Sequence, residues 1–120
     1  MTQTEKLVEC IVKGMQEKKA KGVAVADLRK VENAPAQYFV ICSGGSPQQA
    51  EAISDSVWET VRVEAGEKPA AVQGARSGAQ WVAMDYGTVM VHIFLPEARE
   101  HYDLENLWED APIKRYEDVE

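Results

Sequence analysis

Two histidines, His92 and His101, two cysteines, Cys10 and Cys42, and one Gly44-Gly45-Ser46 turn are the residues of this chain whose types could do chemistry. Nucleophilic catalysis needs a Ser or Cys, a base, and an acid that orients the base. His92 lies inside an alternating apolar run, His101 follows Arg99-Glu100, and no Gly-x-Ser-x-Gly elbow is present. There is no Cys-x-x-Cys, and two histidines without a carboxylate–cysteine cluster make a poor metal site. Each cysteine sits in an apolar run, where free Cys behaves as a small hydrophobe. The expectation is two reduced core cysteines in a reducing compartment, two structural histidines, and neither cofactor nor metal.

Gly44-Gly45-Ser46 precedes a helix pattern, and a helix N-terminus offers unpaired N–H groups to an anion. The Gly-Lys-Ser/Thr of a P-loop is missing. Strand, Gly-Gly-Ser and helix also follow one another in nucleotidyltransferases, which need paired carboxylates on a neighbouring strand to hold two metal ions. Here Asp55, Glu59 and Glu64 fall on the helix, and no strand carries Asp-x-Asp or Asp-x-Glu. The turn is read as a turn and cap. A metal-dependent nucleotidyltransferase or nucleotide-binding enzyme is the alternative reading.

The elements that position these residues follow from periodicity. Leu7, Ile11 and Met15, flanked by Val8 and Val12, predict a helix from about Gln3 to Lys19, opened by a Thr2/Glu5 capping box and stopped by Gly22. Val23 to Leu28 reads as a strand and Tyr38 to Cys42 as a strand buried on both faces, with loop between them at Asn33 and Pro35. Ser46-Pro47-Gln48-Gln49 opens a helix carrying Ala50, Ile53, Val57 and Val61, which ends at Gly66. Ala71 to Gln73 is a short strand and Gly74 to Gly78 a loop. Trp81–Asp85 and Thr88–Phe94 form a hairpin around Tyr86-Gly87. Glu97 to Trp108 holds one or two helical turns. The resulting class is an α/β layer fold (α+β), a mixed sheet of about five strands with two main helices on one face. Residues 1–110 are expected to form one domain and residues 111–120 an acidic, flexible tail.

Charge is uneven. The 120 residues carry a net −7, with +3 over residues 1–30 and −10 over the remainder. Only the first helix, through Lys13, Lys18, Lys19 and Lys21, offers a basic face, and that is the ordinary solvated side of an amphipathic helix. No sequence-specific nucleic-acid contact is expected, and a charged partner should be basic, most plausibly a protein. No run approaches the roughly 20 apolar residues that span a bilayer, and the N-terminus lacks a basic head with an apolar core behind it.

Alternation along the hairpin divides its side chains. Val89, Val91 and Ile93 share one face with Val82 and Met84, and belong under the helices. Trp81, Asp85, Met90, His92 and Phe94 share the other. Two helices leave little to cover that second face, so a partner could dry it, or segment 97–110 could fold back over part of it. Burying a Trp, Met or Phe contributes roughly 1.5–3 kcal/mol each.

The run Trp81 to Phe94, followed by Glu97-Ala98-Arg99 and Tyr102-Asp103-Leu104-Glu105-Asn106-Leu107-Trp108, resembles the signature of the ribosomal silencing factor family, also called Iojap or RsfS. Tyr38-Phe39-Val40-Ile41, Gly44-Gly45-Ser46 and Ala50-Glu51-Ala52-Ile53 are similar to its middle block. The chain departs from the family at Gln73-Gly74, where Glu-Gly is usual, at Gln48-Gln49, near a usual Arg-His pair, and at Gln37, often Asp. The resemblance implies a cytoplasmic α/β domain related to the nucleotidyltransferase fold but without its catalytic carboxylates. It implies a non-enzymatic factor that binds the large ribosomal subunit through ribosomal protein L-fourteen. Such a factor sterically prevents joining of the small subunit and represses translation under nutrient limitation. The expected partner-binding residues are Trp81, Asp85, Tyr86, Met90 and His92 on the hairpin, with Arg99, Tyr102, Glu105 and Trp108 after it. Trp108 and Leu104 could instead anchor the terminal turn, and Arg99 could hold Asp85 or Glu105. An uncovered sheet face also allows a homodimer when the protein is free.

Overall fold

The computed structural model describes residues 2–74, 80–107 and 110–119. Most of the loop expected over Gly74–Gly78, and the candidate Trp108, lie outside the described residues. Helix α1 spans Gln3–Glu17. Its capping box closes as expected, with Thr2 Oγ1 accepting from the Glu5 N–H and Glu5 Oε1 accepting from the Thr2 N–H, both at 3.1 Å. The helix ends two residues before Lys19 because the chain must drop Ala20 into the core, where it is 1% exposed. Lys19 makes that turn in the left-handed region, at φ 57°. Gly22 is therefore not the stop. It lies within strand β1 (Lys21–Asp27) at φ 59°, where pairing with the next strand slips between Lys21 and Ala24.

The remaining elements are β2 (Tyr38–Ser43), α2 (Pro47–Ala65), β3 (Ala71–Gln73), β4 (Trp81–Asp85), β5 (Val89–Phe94) and α3 (Pro96–Tyr102), then a 3-10 turn at Leu104–Asn106 and β6 (Ile113–Arg115). Ser46 caps α2 by accepting from the Gln49 N–H at 3.1 Å, and Gly66 closes it at φ 68°. The strands form one sheet in the order β3-β4-β5-β2-β1-β6. Only β2 and β5 run parallel, and the other four pairs are antiparallel. Strand β6 makes the sheet six-stranded and falls within the segment read from sequence as a tail. Ile113-Lys114-Arg115 is short and charged, and it joins the edge through its backbone opposite Ala26, Val25 and Ala24.

Both helices lie on one sheet face, over Val23, Val40, Val82, Met84, Val91 and Ile93. They approach closely at Gly14, where a Cβ would sit 2.8 Å from Val57 Cα, and Ser56 Oγ donates to the Gly14 carbonyl at 2.7 Å. The other face has a core of its own, Leu28, Phe39, Ile41, Phe94 and Ala98, against which Trp81, Met90, Leu104 and Ile113 pack half-buried. Of the two readings left open for the second face, the fold-back of segment 97–110 over part of it is the one observed. The residues after β5 fold back over its centre, where Ala98 and Leu104 cover the apolar area that Phe94 and Phe39 offer.

Candidate docking surface

What stays accessible on this second face is organised around Trp81. The indole opens β4 directly opposite Phe94 and stacks on it at 5.0 Å between ring centroids. Tyr102, from the last turn of α3, packs against both rings, 4.7 Å from Trp81 and 6.2 Å from Phe94 between centroids, and is itself 50% exposed. Leu107 adds a 59%-exposed apolar side chain beyond the 3-10 turn. Along the strands, Ala83, Asp85 and Met90 are half-buried. Asp85 lies opposite Met90, and its Oδ1 accepts from the Gly87 N–H at 2.7 Å, which fixes the hairpin turn. Residues 81–107 carry five carboxylates and one arginine, so the stretch that bears the cluster is acidic.

Two expected contact residues are buried. His92 is buried at 3% exposure behind Trp81, whose Nε1–H donates to His92 Nδ1 at 3.1 Å. Its ring meets Phe39 edge-on at 4.6 Å, and burial lowers its pKa to about 4. Tyr86 is also buried, but under the helices, because it follows Val82 and Met84 in the period-two alternation and so falls on the face they share. Burial raises the pKa of its phenol, and among the described residues its hydroxyl finds no hydrogen-bond partner. Both side chains are packed within the chain itself.

Arg99 and Glu105 are turned toward each other. Arg99 Nε donates to Glu105 Oε1 at 2.8 Å, and its Nη1 donates to Ser43 Oγ at 3.0 Å. Arg115 Nη1 donates to the second Glu105 oxygen at 2.6 Å. The hydrogen bond from Arg99 leads the causes that hold the Glu105 pKa below the usual carboxylate value. The group ties α3, the 3-10 turn, β2 and β6 together, so the pair acts as a clamp on the segment that carries Tyr102. Gly22 belongs to it as well: a Cβ there would lie 2.7 Å from Arg99 Nη1. Sequence spacing allowed the Arg99–Glu105 pairing, but Ser43, Gly22 and Arg115 lie too far along the chain to be associated with it by motif. Leu107 could have been found from its place beside Trp108 in the same motif.

The Gly44-Gly45 turn has its donors occupied. The Gly44 N–H bonds to Phe94 O at 2.9 Å and the Gly45 N–H to Gln49 Oε1 at 2.6 Å. Gln49 also donates to Lys18 O at 3.3 Å, so this departure from the family pattern joins the ends of α1 and α2. A Cβ on Gly44 would meet the Ala50 backbone at 3.1 Å, which explains the glycine by packing. Among the described residues no cluster of three or more His, Cys, Asp or Glu is placed to hold a metal ion, and no helix is long and apolar enough to cross a membrane.

A family model described as ribosomal silencing factor during starvation matches residues 1–120. A ribosomal silencing factor RsfS of Halalkalibacterium halodurans is 34% identical over 115 residues, covering 96% of each chain. That of Bacillus subtilis is 35% identical over 97 residues, covering 81% of this chain and 80% of its own. A crystal structure of a Chromobacterium violaceum protein superposes with a TM-score of 0.81 at 31% identity, covering 91% of this chain and 88% of that one. A signature hairpin, an Arg99–Glu105 clamp that gives the signature's charged residues a structural task, and a match along the whole length lead to one conclusion: the chain belongs to the ribosomal silencing factor family.

Proposed function

We propose that this protein binds the large ribosomal subunit through ribosomal protein L-fourteen and, by occupying the surface that meets the small subunit, blocks subunit joining and lowers translation when nutrients are scarce. It acts as a wedge, without turnover and without nucleotide, in the cytoplasm. The observation that supports this reading best is the half-exposed Trp81–Tyr102 pair, carried on an acidic stretch of the chain. Aromatic side chains held rigid and half-exposed are the usual energetic centres of protein interfaces, and an acidic stretch suits a basic ribosomal protein. Asp85 and Met90 extend the contact along the sheet. In the free protein the same surface is open to a second copy, and a gel-filtration mass that falls to monomer on adding large subunits would mark that dimer as a resting state.

Sedimentation with purified large subunits, followed by a subunit-joining assay, tests the reading. Trp81→Ala and Asp85→Arg should each weaken co-sedimentation by about tenfold or more, the scale of a lost hot spot, while far-UV circular dichroism stays unchanged. Joining should be inhibited in proportion to the protein bound, up to one per subunit. Inhibition that persists far below one protein per subunit would reject a steric block, and unchanged co-sedimentation of both variants would reject this surface.

A further inference from the structure

His92 lies on β5, on the sheet face that carries Trp81, yet it is only 3% exposed. Its one polar contact among the described residues is with the Trp81 indole N–H, 3.1 Å from Nδ1. Because Nδ1 accepts, the neutral ring carries its proton on Nε2, and Nε2 is buried without a hydrogen-bond partner among the described residues. A buried donor left unpaired is a cost to the fold, so a leucine would serve the core better than this imidazole does. What leucine lacks is an acceptor at the position of Nδ1. Phe94 and Tyr102 both pack against the indole, but ring contacts leave it free to slide in its plane, and a hydrogen bond at its edge fixes that last freedom.

We propose that His92 is a positioning residue for docking, whose Nδ1 locks the Trp81 indole in the orientation that the surface presents. This rests on the docking reading above and deepens it in one respect. The only side-chain hydrogen-bond donor of Trp81 is spent inward, so the partner meets the indole as an apolar surface and need not offer it an acceptor.

The experiment compares wild type with His92→Leu, which removes the acceptor, and His92→Asn, whose Oδ1 stands near the position of Nδ1. In the free protein, hydrogen exchange of the Trp81 indole N–H is followed by NMR, with the signal assigned from Trp81→Phe. Exchange should quicken severalfold, up to about tenfold, in His92→Leu, as expected for loss of a hydrogen bond worth up to about 1.5 kcal/mol, and slow again in His92→Asn. Affinity for purified large subunits should fall several-fold in His92→Leu and recover in His92→Asn, while His92→Leu added to Trp81→Phe should cost nothing further. Should His92→Leu fail to fold, His92→Phe, also without an acceptor, takes its place. An indole equally protected in the acceptor-free variant overturns the proposal, as does an indole set free with no change in affinity. If wild type itself does not bind large subunits, the docking reading falls, and the indole measurement still decides whether His92 holds Trp81.

Discussion

His92 gives the molecule an acid-sensitive point that its composition does not reveal. Its pKa is lowered to about 4 in the folded chain by burial, while the unfolded chain titrates near 6.5. Between those values the unfolded state binds the extra proton, so stability is complete above about pH 6.5 and declines toward pH 4. Urea unfolding should show a loss of roughly 1 kcal/mol per pH unit over that window. His92→Leu should flatten it, and an equal slope in that variant would assign the effect elsewhere. Glu105 acts in a separate window: its pKa is held below the carboxylate range, so its contribution is present above about 4.5 and lost as the pH falls through the lowered value.

At the scale of elements, two close fits decide the architecture. The first is α1 against α2 at Gly14. Because the obstruction is the Val57 backbone, Gly14→Ala has no flexible neighbour to push aside. It should lower stability by about 1–3 kcal/mol, read as a shift of the urea midpoint at constant slope. The second is the clamp that holds α3 and the 3-10 turn over the sheet. The side chains of Arg99 and Glu105 are only 15% and 12% exposed, so the pair is shielded from solvent far better than a surface ion pair. Arg99→Ala leaves Glu105 with Arg115 alone and should cost about 2 kcal/mol. Hydrogen exchange of residues 96–107 should quicken more than that of β2 or β5, because the clamp joins the segment to the sheet and the sheet centre has other support. Uniform exchange changes would show the clamp to be an ordinary part of the global fold.

At the scale of the molecule, charge and shape divide the work of recognition. Net charge is −7, and the docking hairpin with the turn behind it lies in the acidic portion. An acidic surface approaching a basic protein gains encounter rate, which salt screens, whereas an aromatic contact acts after docking and is largely indifferent to salt. Association with large subunits should therefore slow by about tenfold between roughly 0.05 M and roughly 0.5 M salt, while the dissociation rate changes little. Trp81→Ala should do the opposite, raising dissociation and leaving the salt dependence of association intact. Stopped-flow or surface-based kinetics separates the two, and a salt effect confined to dissociation would reject electrostatic steering.

Local pattern was enough for much of this protein. Capping at Thr2 and Ser46, the hairpin, the division of Val89, Val91 and Ile93 from Met90, His92 and Phe94, and the family itself all follow from residues close together in the chain, whose geometry is set by φ/ψ preference and side-chain alternation. Strand β6 escaped because a three-residue edge strand is held by backbone bonds to β1, which leave little trace in side-chain pattern. The candidate site was legible as a set of residues but not as an arrangement. Alternation placed His92 beside Trp81 on one face, yet only the packed structure put one behind the other, because depth depends on what folds over a face. Arg99 and Glu105 likewise carried charges that could serve inside or outside. Contact with Ser43, Gly22 and Arg115, which tertiary folding alone brings near, decided for the inside.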